Sequence, residues 1–287
     1  MLTEQYHFTK EAAMDQIINE IIEKLKLMFY DTPTIALAGA HAKGVADSGS
    51  DIDIFIFGNE PTPYEYRKEI IENFCDDPTQ AYISETYDRS FGGNIDFIYK
   101  GIPIEVVARY KGSMEEKADR AIRGEFEIIP QTWTSNGYYS FIYLSEVSFL
   151  KPILDEDGWL QSLKDRLSVY PPALKANIIS TFMRRAHTWI GNFHYETALP
   201  RTDVLFIAPI VVNTLMNMVQ VIFAINEIYF TGDKKLERAL REMTYCPALL
   251  LENLDSLLSF PHDEVHLKRQ AELLEKIYAD LQQHILL

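Results

Sequence analysis

Residues 34–57 read TIALAGAHAKGVADSGSDIDIFIF, and this stretch decides the fold expected for the first half of the chain. Its apolar start, TIAL, predicts a short buried strand, and a loop of small residues follows it. Residues 51–58 alternate between two faces, with Asp51 and Asp53 on one face and isoleucines on the other. They predict a second strand that opens with two carboxylates on the same side of a sheet.

The two aspartates are placed to hold a cation. Side chains two residues apart on one face of a strand lie roughly 7 Å apart, so both carboxylates can reach one point in front of the sheet. Two uncompensated carboxylates repel each other, and a cation between them removes that repulsion. Oxygen ligands of this kind suit Mg²⁺ better than Zn²⁺. Asp51 and Asp53 are therefore candidate magnesium ligands.

A third carboxylate is expected from residues 94–110, NIDFIYKGIPIEVVARY, which read as a β-hairpin. With Lys100 and Gly101 as a two-residue turn, Asp96 pairs with Glu105 across the two strands, and both acids point to one face. Either acid can complete an oxygen site with the aspartate pair, and the hairpin register alone does not choose between them.

The second half of the chain has a different pattern. From about Pro171 onward every periodic segment is helical, whereas strands and helices alternate before residue 165. We therefore predict two domains, at residues 1–165 and 166–287. Residues 204–225 are the most apolar stretch, but Pro209 and several polar residues interrupt it. A buried helix or helix pair is favoured there over a membrane span.

Charge and composition indicate which classes of partner are disfavoured and which cellular compartment is favoured. The chain of 287 residues has 27 Lys and Arg against 42 Asp and Glu, a formal net charge of −15. Nucleic acids and anionic membrane surfaces are disfavoured as partners, because they attract basic proteins. Cys75 and Cys246 predict no disulfide framework, and the first residues do not resemble a signal peptide. These features favour a cytoplasmic protein.

The spacing of Gly39, Ala40 and the acid pair resembles the signature of the polymerase-beta-like nucleotidyltransferase superfamily. In that signature a Gly-Ser pair precedes an Asp-x-Asp or Asp-x-Glu motif inside an apolar strand. Here ten residues separate Ala40 from Asp51, and Ala40 stands in the place of the usual serine. The two-domain arrangement is similar to that of kanamycin and lincosamide nucleotidyltransferases and their uncharacterised bacterial relatives.

The resemblance implies a fold and an activity. The fold is α/β, with a mixed β-sheet flanked by helices in the N-terminal domain and an all-helical C-terminal bundle. The activity is transfer of a nucleoside monophosphate, with ATP as the favoured donor, to a hydroxyl of a small molecule, with release of pyrophosphate. The acceptor is expected to be aminoglycoside-like or lincosamide-like, and the cofactor to be two Mg²⁺ ions, with Mn²⁺ as a substitute.

The resemblance also implies roles for individual residues. Asp51 and Asp53 would bind both ions, and Glu105 would complete the set, with Asp96 as the alternative third carboxylate. The nucleotide-binding residues that it implies are Gly39, Ala40, Lys43, Ser50, Lys234 and Lys235. Each of these lysines reads equally well as a solvated surface residue. His41 is expected to be a loop residue without a role.

Other interpretations of the sequence stay open. One is nucleotidylation of a protein hydroxyl instead of a small molecule. Another is a catalytically silent nucleotide-binding or regulatory protein, which Ala40 in place of serine suggests. The long amphipathic segment at the C-terminus is also compatible with a homodimer.

Overall fold

The computed structural model describes residues 2–44, 46–47, 49–131, 134 and 137–286, except for the side chains of residues 2–12 and of Lys43. The chain divides into two compact units. Unit 1 consists of Met1–Glu116 and Glu146–Ser168, and unit 2 consists of Lys117–Ser145 and Val169–Leu287. The domain division predicted at residue 165 differs from this one, because residues 117–145 belong to unit 2.

Helices and strands alternate in unit 1, and helices dominate unit 2. The α-helices are α1 Leu2–Leu25, α2 Gly39–Lys43, α3 Tyr64–Glu72, α4 Lys111–Ile122, α5 Ile142–Phe149, α6 Trp159–Leu167, α7 Pro172–His187, α8 Phe193–Ala198, α9 Val204–Ile225, α10 Leu236–Arg241, α11 Ala248–Glu252, α12 Leu254–Leu257 and α13 Glu264–Ile285. The strands are β1 Thr34–Leu37, β2 Ile52–Gly58, β3 Tyr82–Ile83, β4 Gly93–Tyr99, β5 Ile102–Tyr110, β6 Ile128–Ile129, β7 Tyr138–Tyr139 and β8 Lys151–Leu154.

Six strands of unit 1 form one sheet in the order β3-β4-β5-β2-β1-β8. Strands β2 and β5 run parallel, and the other neighbouring pairs run antiparallel. The sheet is therefore mixed, and helices flank it, which confirms the fold class that the resemblance implied. The predicted β4–β5 hairpin is confirmed in register as well, since Tyr99 pairs with Ile102 and Asp96 pairs with Glu105.

The alternation in β2 places its isoleucines on the core face of the sheet and Asp53, Phe55 and the buried Phe57 on the other face, which we call the polar face after its acidic residues. Ile52, Ile54 and Ile56 are fully buried and belong to one hydrophobic cluster with residues of α1, α3, β4 and β5. Asp53 and Phe55, on the other face of the same strand, are only partly buried. This pattern fixes the register of β2, because a slip of one residue would bury Asp53 and expose the isoleucines.

Aromatic packing explains why residues 117–145 belong to unit 2. The ring of Phe126 stacks on Phe182 of α7 at 5.7 Å between centroids, and Tyr139 meets the same ring edge-on at 5.5 Å. Tyr139 also contacts Phe230 at 5.6 Å. Burial of such large rings stabilises the fold strongly. Because the partners of these rings lie in the helical unit, residues 117–145 belong to that unit.

The most apolar stretch of the sequence forms the single helix α9 in unit 2. By length and composition it could cross a membrane, but 61% of its most apolar window is buried inside the protein. It packs against α7 and α13. A core helix surrounded by other helices is expected to be hydrophobic on most of its faces, and this accounts for its composition.

We expect Ile54→Ala to lower the free energy of unfolding by about 2 to 5 kcal/mol, because the variant leaves a cavity in the centre of the sheet. Urea denaturation measures this change. Tyr30→Ala is the control in the same unit: its side chain is 69% exposed, and we expect a change below about 0.5 kcal/mol. Equal losses in the two variants would contradict the assignment of β2 to the core.

Candidate active site

Three carboxylates meet on the polar face of the sheet. Asp51 directly precedes β2, Asp53 lies in it, and Glu105 lies opposite Asp53 on the parallel strand β5. One oxygen from each of these carboxylates lies within 4.8 Å of the others. We call these three residues the acid triad. Asp51 and Asp53 are half-buried and Glu105 is exposed, so the triad is open to solvent on one side.

Asp96 lies beside the acid triad but does not belong to it. It pairs with Glu105 across the antiparallel strands β4 and β5, so it shares the polar face. In the described part of the chain, however, the group of carboxylates close enough to share an ion contains Glu105 and not Asp96. The geometry thus favours Glu105 over Asp96 as the third ligand.

The environment of Asp53 opposes the ionisation of its carboxyl group. Burial raises the pKa of Asp53, and the negative charges of Asp51 and Glu105 raise it further, while His41 acts in the opposite direction. Burial and the charge of Glu105 also raise the pKa of Asp96. A cation between the carboxylates would reverse this effect, because it favours their charged forms.

The acid triad fits a divalent cation of the magnesium type. All three donors are carboxylate oxygens, which are the ligands that Mg²⁺ and Mn²⁺ prefer, and they converge within 4.8 Å. The open side leaves room for water or for phosphate oxygens, which Mg²⁺ usually retains as ligands. The donor set therefore agrees with the predicted metal.

Gly39 brings the backbone against Asp53. The Ala38 N–H donates a hydrogen bond of 2.9 Å to the carbonyl oxygen of Asp53. Gly39 has φ +55°, and a Cβ atom built on it would lie 1.7 Å from the Asp53 Oδ2 atom. Only glycine has both the conformational freedom and the small size that this position requires.

The segment after Gly39 is a short helix and not the loop predicted from the sequence. Helix α2 extends over Gly39–Lys43, with Ala40 as its second residue, and Gly44 ends it in the left-handed conformation at φ 67°. Its five residues are too few to show a helical period in the sequence. The side chain of Lys43 lies outside the described part of the chain, so its predicted phosphate contact is not placed.

Ser50 has its hydroxyl engaged inside the loop before the acid triad. The hydroxyl accepts a hydrogen bond from the Asp47 N–H at 2.9 Å and donates one to the Asp47 carboxylate at 3.1 Å. The Gly49 N–H donates to the same carboxylate at 2.9 Å. These contacts hold the chain just before Asp51, so Ser50 shapes the entry to the triad.

Lys234 and Lys235 belong to unit 2, whereas the acid triad and α2 belong to unit 1. Both lysines are exposed, and Lys235 adopts φ 60° directly before α10. Of the predicted site residues, the structure thus brings together Gly39, Ala40, Ser50 and the acid triad within one unit.

His41 is a residue that the sequence analysis left without a role. It lies on α2, two positions after Gly39, and its charge acts on Asp53. Its Nε2 atom is shielded from solvent and has no hydrogen-bond partner among the described residues. The sequence pattern does not indicate this, because it predicts a loop at His41.

Comparison with known proteins agrees with the geometry. Residues 18–122 match the nucleotidyltransferase domain family, and residues 143–236 match a domain of unknown function, DUF4037. A nucleotidyltransferase-like protein from Exiguobacterium sibiricum 255-15 is similar in structure at 10% identity, over 94% of this chain and 75% of that chain, with a TM-score of 0.47. The curated protein sequences contain no match to this chain. The match over residues 18–122 agrees with the resemblance that the Gly39–Asp53 segment predicts.

We expect Gly39→Ala to weaken Mn²⁺ binding by more than about tenfold, because the added methyl group displaces the Asp53 carboxylate. Gly44→Ala is a matched control: its φ is also positive, but nothing lies within 4 Å of the added Cβ. Both variants cost about 1 kcal/mol of backbone strain. Electron paramagnetic resonance of free Mn²⁺ measures the difference, and equal affinities in the two variants would contradict this account.

The raised pKa of Asp53 predicts how stability depends on pH. The folded protein holds this proton more tightly than the unfolded chain does, so stability is lost as pH rises from about 4, the ordinary range of carboxyl groups. Asp53→Asn should therefore raise the Tm of the metal-free protein at pH 7 and leave it unchanged below pH ~4. Mg²⁺ should raise the Tm of the wild type and not of this variant.

Asp47 supplies the control for this pH experiment. Hydrogen bonds from the Gly49 N–H and the Ser50 hydroxyl lower the pKa of Asp47. Its contribution to stability is present above the ordinary carboxyl range and is lost as pH falls, so Asp47→Asn should not raise the Tm at pH 7. A lower Tm for Asp53→Asn at pH 7 would contradict the raised pKa of Asp53.

Proposed function

We propose that the protein transfers a nucleoside monophosphate from ATP to a hydroxyl of a small molecule and releases pyrophosphate. The observation that carries this proposal is the acid triad, whose oxygens converge within 4.8 Å inside a nucleotidyltransferase domain. Two Mg²⁺ ions would supply charge stabilisation at both ends of an in-line displacement at the α-phosphorus.

In this mechanism the acid triad would hold the ions. Asp51 and Asp53 would provide the principal ligands, and Glu105 would complete the ligand set next to the acceptor hydroxyl. The β2–β5 register supports these roles, because it fixes Glu105 directly opposite Asp53. Rigid strands are suited to this task, since catalytic ligands must keep their geometry to within a fraction of an ångström.

We assign the phosphates of the nucleotide to the start of α2. Gly39 lacks a side chain and Ala40 has a small one, so a phosphate oxygen would meet little steric hindrance at their backbone N–H groups. Ser50 acts by holding the loop before Asp51. Lys43 would add positive charge next to the leaving pyrophosphate.

The acceptor that we favour is a small cationic molecule with a free hydroxyl, of the aminoglycoside type. The net charge of −15 supports this choice, because an acidic protein attracts cations and repels polyanions such as nucleic acids.

A second candidate function is nucleotide binding without catalysis. Ala40 favours it, since the hydroxyl of the usual serine is missing there.

The test is a pyrophosphate-release assay with each NTP and Mg²⁺, against a panel of aminoglycosides and other hydroxyl-bearing molecules. We expect acceptor-dependent release that Asp53→Asn and Glu105→Gln lower by about 10³-fold, because a lost ligand removes several kcal/mol of charge stabilisation. Asp96→Asn should lower it by about tenfold or less, since Asp96 lies beside the triad without belonging to it.

The same assay separates the alternatives. Loss of release in Asp96→Asn with retention in Glu105→Gln would reverse the assignment of the third ligand. Mg²⁺-dependent ATP binding without release, for every acceptor tested, would favour the silent binder. Release that requires a protein acceptor would replace the small molecule in the proposal.

A further inference from the structure

One row of side chains crosses the sheet from the acid triad to the edge strand β3. Glu105 lies opposite Asp53 on one side and opposite Asp96 on the other. Tyr82 of β3 in turn lies opposite Asp96. Residues that pair directly in a sheet point to the same face, and neighbouring strands are about 5 Å apart. Asp96 is therefore next to Glu105, and Tyr82 lies roughly 10 Å from Glu105, two strands away.

The packing of the neighbouring residues confirms which face this row occupies. Ile83, Ile95 and Phe97 pack in or against the hydrophobic cluster on the core face. Because side chains alternate along a strand, Tyr82 and Asp96 lie on the polar face. Tyr82 is 57% exposed and Asp96 is partly buried. Both side chains can therefore contact a molecule that lies on this face.

Hydrogen bonds hold the edge of the sheet in place beside Tyr82. The Ser84 N–H donates to the carbonyl oxygen of Asn94 at 2.9 Å, and the Asn94 N–H donates to the Ser84 hydroxyl at 2.9 Å. Among the residues that the structure describes, no hydrogen bond or ion pair engages the side chain of Tyr82 or of Asp96. The backbone thus fixes the position of both residues, while their polar groups stay available to a ligand.

The geometry of an in-line displacement puts the acceptor on this side of the acid triad. The attacking oxygen and the leaving pyrophosphate lie on opposite sides of the α-phosphorus. The phosphate site that we assign to the start of α2 follows β1, and β1 pairs with β2 on the side away from β5. The acceptor hydroxyl then approaches over β5, and the rest of the acceptor lies over β4 and β3.

We propose that Asp96 and Tyr82 form the acceptor subsite: the Asp96 carboxylate binds an ammonium group of a cationic acceptor, and the Tyr82 ring packs against one of its rings. This inference rests on the proposed function, since it names the residues that select the acceptor. Hydrogen bonds between ammonium and carboxylate groups are stronger than neutral ones, and an aromatic face attracts cations. The two residues determine acceptor specificity and do not bind the ions.

Steady-state kinetics with paired acceptors test the subsite. Each aminoglycoside of the panel, kanamycin first, is compared with its N-acetylated form, which keeps the hydroxyls and loses the ammonium charges. We expect Asp96→Asn to raise the KM for kanamycin by about tenfold and the KM for ATP by less than about twofold, with no change for the acetylated form. Tyr82→Ala should raise the KM for both acceptors by about fivefold, and Tyr82→Phe, which keeps the ring, should stay close to wild type.

Two variants of α3 are the matched controls, because α3 contributes Ile71 to the cluster on the core face. Tyr66→Ala removes a tyrosine that is 45% exposed, and Glu65→Gln removes one exposed carboxylate. Both should leave every KM unchanged. Electron paramagnetic resonance of free Mn²⁺ supplies a readout without turnover. We expect wild-type Mn²⁺ affinity in Asp96→Asn, which separates an acceptor-binding role from that of a metal ligand.

Unchanged KM values for kanamycin in Asp96→Asn and Tyr82→Ala would overturn the proposal. Equal rises for kanamycin and its acetylated form in Asp96→Asn would overturn it too, since Asp96 would then not bind the ammonium group. Weaker Mn²⁺ binding in Asp96→Asn would make this residue a metal ligand instead. Circular dichroism checks folding, and Asp96→Asn, which keeps the shape of the side chain, decides the question if Tyr82→Ala does not fold.

The outcomes also distinguish this inference from the proposed function. If no acceptor supports pyrophosphate release in the wild type, the proposed function fails and the subsite falls with it. If release occurs only with acceptors that carry no ammonium group, or does not depend on Asp96 and Tyr82, transfer stands and only the subsite falls.

Discussion

The repulsion among three carboxylates on two adjacent strands is the constraint on which the site depends. Asp51, Asp53 and Glu105 are held within 4.8 Å by backbone hydrogen bonds of the sheet, which the charges alone cannot break. Burial and the charges of Asp51 and Glu105 together raise the pKa of Asp53, and the buried isoleucine face of the same strand offsets this cost. The isoleucines of β2 thus stabilise the fold on one face of the strand, while the carboxylates on its other face repel each other.

The parallel pairing of β2 and β5 is what converts two separate sequence motifs into one site. Parallel neighbours require a long connection, and here α3, β3 and β4 lie between the two strands in the chain. The β2–β5 register fixes which residue of β5 lies opposite Asp53, and the β4–β5 hairpin places Asp96 next to that residue. A shift of one residue would place Ile104 or Val106 there and turn Glu105 toward the core.

Local patterns predicted much of this arrangement, and long-range packing decided the rest. The alternation of residues 51–58 and the Lys100–Gly101 turn were sufficient to predict β2 and the pairing of Asp96 with Glu105. The choice of Glu105 over Asp96 came from resemblance, because only the β2–β5 register shows which acid faces Asp53. Helix α2 was not predicted, because its five residues are too few to show a helical period.

The assignment of residues 117–145 to unit 2 shows why a pattern of helices and strands does not by itself locate a domain boundary. These residues follow the last long strand of the sheet and contain two short strands of their own, so they read as a continuation of the α/β half. Their aromatic rings, however, find partners on α7 and near Phe230, in the helical unit. Domain membership follows from where the large apolar side chains are buried, because that burial supplies most of the favourable free energy of folding. A sequence shows that such rings must be buried, but their partners lie far along the chain and only the folded structure identifies them.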